Sequence, residues 1–278
     1  VAVAFHENAK EFDTIIGLIT GVVIAIFVAL VLLGGVKRIG QVTEKLVPGM
    51  AAIYIVCALV VVIANAGTIP GVFASIFQGA FNPSAVVGGA VGVTMKLAIT
   101  KGVGRGVFSN EAGLGSAPIA HAATSEKNPV RQGLYGIFEV FMDTIVICTL
   151  TSLAVILSGV LDVGLDSYAT NGAAAVAAFN AILPGTIGGT IIQISLLFFA
   201  LSTILGWSQY GNRAISYLLG KKAVLPYYIV FLLFVFWGCM MVGDAAGSAA
   251  VSNLSSVVWN VADVMNALMA IPNCIAVL

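Results

Sequence analysis

From Leu46 to Met95 the chain runs fifty residues without a charged side chain, and from Ser167 to Asn212 it runs forty-six. About 20 apolar residues in a helix already cross the roughly 30 Å hydrocarbon layer of a bilayer. Over the whole chain 60% of residues are hydrophobic and 9% charged, against about 25% charged in soluble domains. Inside lipid each backbone N–H and C=O needs a partner within the protein, which leaves helices or a closed barrel. Barrel strands alternate in polarity, whereas runs such as Ile15 to Leu33 are continuously apolar but for Thr20 and two glycines. The chain therefore reads as an all-α polytopic membrane protein.

Several function classes fall away on composition. The formal net charge is zero and no basic tract occurs, so nucleic acid is not an expected partner. Cys57, Cys148, Cys239 and Cys274 sit in separate apolar spans without metal-ligand spacing and read as small core residues. His6 and His121 belong to no nucleophile arrangement, so neither an enzyme nor a cofactor is expected. His6 falls at the outer end and His121 in a cytoplasmic turn, which makes neither a proton relay.

The pattern predicts a single membrane domain of about seven segments, at 14–35, 46–66, 84–106, 133–160, 186–210, 224–243 and 254–278. Val1 opens the sequence and Leu278 ends it inside an apolar run, so both ends are expected to be incomplete. Basic residues gather on the cytoplasmic side of membranes. Lys37, Arg38 and Lys45 follow the first segment, Lys127 and Arg131 the third, and Arg213, Lys221 and Lys222 the fifth. The other connections hold no Lys or Arg, so the first segment is expected to run from outside to inside. Two of those connections, 67–83 and 166–185, are apolar but interrupted by Gly and Pro, and suit amphipathic helices over an external vestibule.

The third arm, 84–121, contains Lys96, Lys101, Arg105 and Glu111, and eight glycines between Gly88 and Gly115. A cation at the bilayer centre costs a few kcal/mol, and a helical glycine about 1 kcal/mol relative to alanine. Two readings follow. The helix breaks near Thr100 to Gly106 and its freed backbone lines a wet cavity, as in the discontinuous helices of transporters; or the span stops near Thr100 and a cytoplasmic segment follows.

Other polar positions are placed by spacing. Glu139 and Asp143 lie four apart, on one helix face, and either pair with the third arm's cations or serve an ion or proton. Ser202 and Thr203 offer adjacent hydroxyls in an apolar helix, with Trp207 one turn beyond Thr203. Hydroxyls and carbonyls are the hard ligands a sodium ion accepts, although serine and threonine also glue membrane helices together. Asn260, Asp263 and Asn266 share one face of the last segment, toward the interior.

Four strings occur together: GGVKRIGQVTEKLVPGM (34–50), GVGRGVFSNEAGLGSAP (102–118), FALSTILGWSQYG (199–211) and VWNVADVMNALMAIPN (258–273). In this order and spacing the chain resembles the alanine or glycine:cation symporter family along essentially its whole length. The resemblance implies sodium-coupled symport of a small neutral amino acid, alanine or glycine, across the plasma (inner) membrane by alternating access. It also implies part of the five-plus-five inverted-repeat transporter fold of the bacterial leucine-transporter type, with the arm at 84–121 as the second broken helix. It implies Ser202 and Thr203 near the sodium ion, and Thr203 and Trp207 at the substrate, with Met95 and Ile99 as pocket walls. A proton-coupled carrier of the same architecture, using Glu139 or Asp143, is the alternative, and a passive channel the rival from another class.

Overall fold

The structure is a computed structural model that describes residues 13–81, 95–111, 113–163, 171–183, 185–244 and 249–277. Among them every regular element is helical: α1 (Asp13–Leu33), α2 (Gly35–Ala64), α3 (Ile69–Phe81), α4 (Met95–Ser109), α5 (Ala117–His121) and α6 (Pro129–Val140). A π-helical segment, Phe141–Cys148, joins α6 to α7 (Thr149–Leu157). Then come α8 (Val160–Val163), α9 (Asn171–Ile182), α10 (Ile187–Leu219), α11 (Val224–Asp244) and α12 (Ala249–Val277). Among the described residues, five stretches are long and apolar enough to cross a membrane: Lys37–Ala64, Pro129–Leu157, Ile187–Leu219, Lys221–Cys239 and Val257–Val277. Positions 84–94 of the third expected segment, and His6, lie outside the described residues.

Local chemistry explains several boundaries. Asn128 caps α6, its side-chain oxygen accepting from the amides of Val130 (3.0 Å) and Arg131 (3.4 Å), with Pro129 at the first helical position. α2 begins eleven residues before the expected segment and carries Pro48 in its interior. The two connections expected to be amphipathic do form helices, α3 and α9. α9 is more than a cover, however: Ala178 and Phe179 are fully buried, and Asn180 Oδ1 accepts from the amide of Gly189 at 2.7 Å, tying α9 to α10.

Two apolar cores share α2 and α10. One gathers Tyr54, Ala58, Val61, Ala154, Phe179 and Ile192, with the Tyr54 hydroxyl bonded to Thr151 Oγ1. The other gathers Val28, Leu32, Ile39, Leu201, Leu205 and Tyr228. α1 packs on α11 through Gly21, where an added Cβ would lie 3.1 Å from Cys239 Cβ; small residues let membrane helices approach this closely. Large apolar side chains such as Val23, Val56, Ile63 and Leu233 point outward, as lipid contact requires.

The third arm departs from expectation. No break occurs between Thr100 and Gly106; α4 is helical through Gly102, Gly104 and Gly106. Glycine lowers helix propensity by about 1 kcal/mol, which is less than the several kcal/mol for a backbone group left unpaired in hydrocarbon. The backbone leaves the helix later, past Ser109.

Candidate functional site

Past Asn110 the backbone is left-handed at Glu111 (φ 51°), Gly113 (φ 77°) and Gly115 (φ 78°). Glu111 is the one non-glycine with positive φ among the described residues, a conformation that costs an L-residue roughly 1–2 kcal/mol. Its carboxylate is held in place: Ser116, 1% exposed, donates its hydroxyl to Glu111 Oε2 at 2.6 Å. Asn273 of α12 donates from Nδ2 to the Gly113 carbonyl at 3.1 Å. The turn is thus docked on α12, and only glycine fits at 115, where a Cβ would sit 2.6 Å from Asn273 Oδ1.

The π segment faces this turn. Ser109 donates its hydroxyl to Asp143 Oδ2 at 2.8 Å, and Thr144 donates to Asn110 Oδ1 at 2.7 Å. A π segment adds a residue to the helical turn and shifts side-chain register, which is why such segments recur at functional sites. Of the third arm's cations, Lys96 and Lys101 have side chains outside the described residues. Arg105 lies over the Trp259 ring of α12, 5.5 Å from its centroid, a cation–π contact.

Between these elements lies a cavity of about 640 Å³ lined by Ser109, Asn110, Glu111, His121, Glu139, Asp143 and Tyr210 among others. His121 has two neighbours at this chamber. Its Nδ1 accepts from Gln132 Nε2 at 2.6 Å, and its Nε2 lies 3.7 Å from Glu139 Oε2. An imidazole, three carboxylates, a phenol and a carboxamide around one chamber suit a cation, an ammonium group or a proton. Among the described residues no three His, Cys, Asp or Glu converge as metal ligands.

The predicted α10 stripe meets the lining of this chamber at one point, the contact of Trp207 with Tyr210. Ser202 and Thr203 both donate to the Phe199 carbonyl, each at 2.9 Å, which leaves hydroxyl lone pairs available to a cation. Thr203 is exposed and Ser202 half-buried. Trp207 packs edge-on against Tyr210, ring centroids 5.7 Å apart, and Tyr210 lines the chamber. Ile99 is 56% exposed on α4, and Met95 opens α4 with its side chain outside the described residues. A second cavity, about 340 Å³, is lined by Thr100, Gly104, Arg105, Asp263 and Asn266 among others. Neither cavity is lined by Ile99, Ser202, Thr203 or Trp207. Asp263 and Asn266 thus share a face toward α4, while Asn260 is exposed and lines neither.

Asn110, Glu111, His121 and Tyr210 were not singled out by spacing. Gly113 and Gly115 were the available signal for the turn: alternate glycines next to a lone acid mark backbone that needs positive φ.

Comparison with known proteins agrees with these features. The chain is 46% identical over 94% of its length to the sodium/alanine symporter AgcS of Methanococcus maripaludis, covering 54% of that protein. It is 41% identical to an uncharacterized transporter of Haemophilus influenzae, over 94% of this chain and 54% of the other. To the probable sodium/glutamine symporter GlnT of Bacillus subtilis it is 37% identical over 100% of its length and 53% of that protein. The chain spans about half the length of the curated relatives it matches. The model of the sodium:alanine symporter family matches residues 1–278, and the chain belongs to that family.

Proposed function

We propose that the protein carries out sodium-coupled symport of a small neutral amino acid, alanine or glycine, across the plasma membrane by alternating access. Family membership supports cation-coupled amino-acid symport, and the relative named a sodium/alanine symporter supports the substrate class. The observation that carries the reading is the α10 stripe of Ser202, Thr203 and Trp207, whose Trp207 packs against Tyr210 in the lining of a chamber holding Glu111, Glu139 and Asp143. Sodium sits at the Ser202–Thr203 hydroxyls, and the substrate lies against Thr203 and Trp207, with Met95 and Ile99 as further walls. Ion and substrate favour the same state, so each raises the other's affinity. We place the chain in a leucine-transporter-type inverted-repeat fold with seven membrane segments, the first running outside to inside. The relative named for glutamine makes pocket size the discriminating variable.

The test uses the full-length protein in vesicles. Ser202→Ala with Thr203→Ala is expected to shift the half-saturating sodium concentration for alanine uptake upward by tenfold or more. An unaltered sodium dependence removes the assignment. A second reading is proton coupling, favoured by His121 standing 3.7 Å from Glu139 across the chamber. Uptake that persists without sodium and collapses with a protonophore selects it.

A further inference from the structure

Helices α2 and α10 leave a groove between them that the transport reading does not use. Its first part is a cavity of about 810 Å³ lined by Arg38, Gln41, Lys45, Gly49, Ile53 and Phe198 among others. Its second, about 560 Å³, is lined by Val56, Cys57, Val60 and Leu183 among others, and shares Ile53 and Ile191 with the first. The two adjoin along an exposed side of the α2–α10 pair, where Ile53, Val56 and Val60 point outward.

The lining is sorted by polarity along its length. On α2 the positions 38, 41, 45, 49, 53, 56 and 60 recur every three or four residues, which is one helix face. That face begins with two cations and an amide and is apolar from Gly49 onward. Glu44 lies off it, and among the described residues no carboxylate forms an ion pair with Arg38 or Lys45. From Lys45 to Ile53 is about 12 Å of helix, close to the depth of one leaflet, half of roughly 30 Å. At Gly49 an added Cβ would meet nothing within 4 Å, so the floor of the groove is open.

We propose that this groove binds an anionic phospholipid. The phosphodiester sits between Arg38, Gln41 and Lys45, and one acyl chain lies along Gly49, Ile53, Ile191 and Phe198. Basic pockets between membrane helices on the cytoplasmic side take such headgroups. The assignment to the inner leaflet rests on the orientation proposed above; the binding itself rests on the groove. Charge complementarity selects lipid over a second protein segment, because a paired basic mouth above an apolar trough matches a headgroup above its chain.

The experiment uses the full-length protein, reconstituted with phosphatidylglycerol or phosphatidylcholine and analysed by native mass spectrometry. One phosphatidylglycerol per protein is expected to survive delipidation, with phosphatidylcholine lost. Arg38→Gln with Lys45→Gln is expected to weaken retention about thirty-fold, at about fivefold per cation. Gly49→Phe fills the trough without touching the charges and is expected to expel the lipid. It keeps the proposal testable if the double variant does not fold. A benzoylphenylalanine photo-crosslinker replacing Ile53 is expected to capture phospholipid. Equal retention of both lipids, retention unchanged by either variant, or crosslinking of position 53 to protein would each overturn the proposal. Sodium-driven uptake is a separate readout, so failure here leaves the transport reading standing.

Discussion

Gly115→Ala isolates the contact that docks the turn of the third arm on α12. The substitution acts in two ways. It places an L-residue at φ 78°, which costs roughly 1–2 kcal/mol. It also brings a Cβ to 2.6 Å from Asn273 Oδ1 and 2.9 Å from Cγ, so the Asn273 side chain must swing away. Its 3.1 Å bond to the Gly113 carbonyl is then lost, at about 1 kcal/mol. The total is about 2–3 kcal/mol. Asn273→Ala removes the clash and the bond together, so in that background Gly115→Ala should cost only the backbone strain. A double-mutant cycle on the full-length protein, read by denaturant-dependent unfolding in detergent, should give a coupling energy of about 1 kcal/mol. A neutral Gly115→Ala, or equal costs in the two backgrounds, would refute the docking of this turn on α12.

Two further perturbations follow from the same structure. Ser116→Ala leaves the Glu111 carboxylate without its 2.6 Å partner and is expected to destabilise by about 1.5–3 kcal/mol, whereas Ser116→Thr should keep most of the stability; the same unfolding assay decides. Two glycines of α10 should respond oppositely to alanine. Gly206 has open space around a Cβ and should gain up to about 1 kcal/mol, while at Gly211 the Cβ would collide with the Tyr227 hydroxyl and disturb its bond to the Ser208 carbonyl. A thermal shift of the same sign for both would contradict the α10–α11 packing described here.

How legible the molecule was in its sequence depends on the range of the interaction. Segment positions such as 14–35 and 224–243 come close to α1 (Asp13–Leu33) and α11 (Val224–Asp244), because apolar length is a property of each stretch alone. The start of α2 was missed because a helix can continue past the membrane edge through Lys37, Arg38 and Lys45, where hydropathy no longer marks it. The break of the third arm was displaced toward its end. Glycine count suggested Thr100 to Gly106, but the backbone turns where Gly113 and Gly115 meet Asn273, a partner more than 150 residues away. The π segment at Phe141–Cys148 has no signature in a 3.6-residue period, so the bonding of Asp143 and Thr144 to Ser109 and Asn110 could not be read by spacing. Likewise the place of His121 beside Gln132 and Glu139 depends on α5, which spacing did not mark.

The most direct measurement is alanine accumulation by vesicles carrying the full-length protein under an imposed inward sodium gradient, with labelled sodium followed in parallel. Coupled symport predicts that alanine rises above its external concentration, that sodium enters with it, and that an equal potassium gradient drives nothing. Alanine that merely equilibrates, or that climbs equally well without sodium, would contradict the reading of Ser202 and Thr203 as the coupling-ion site.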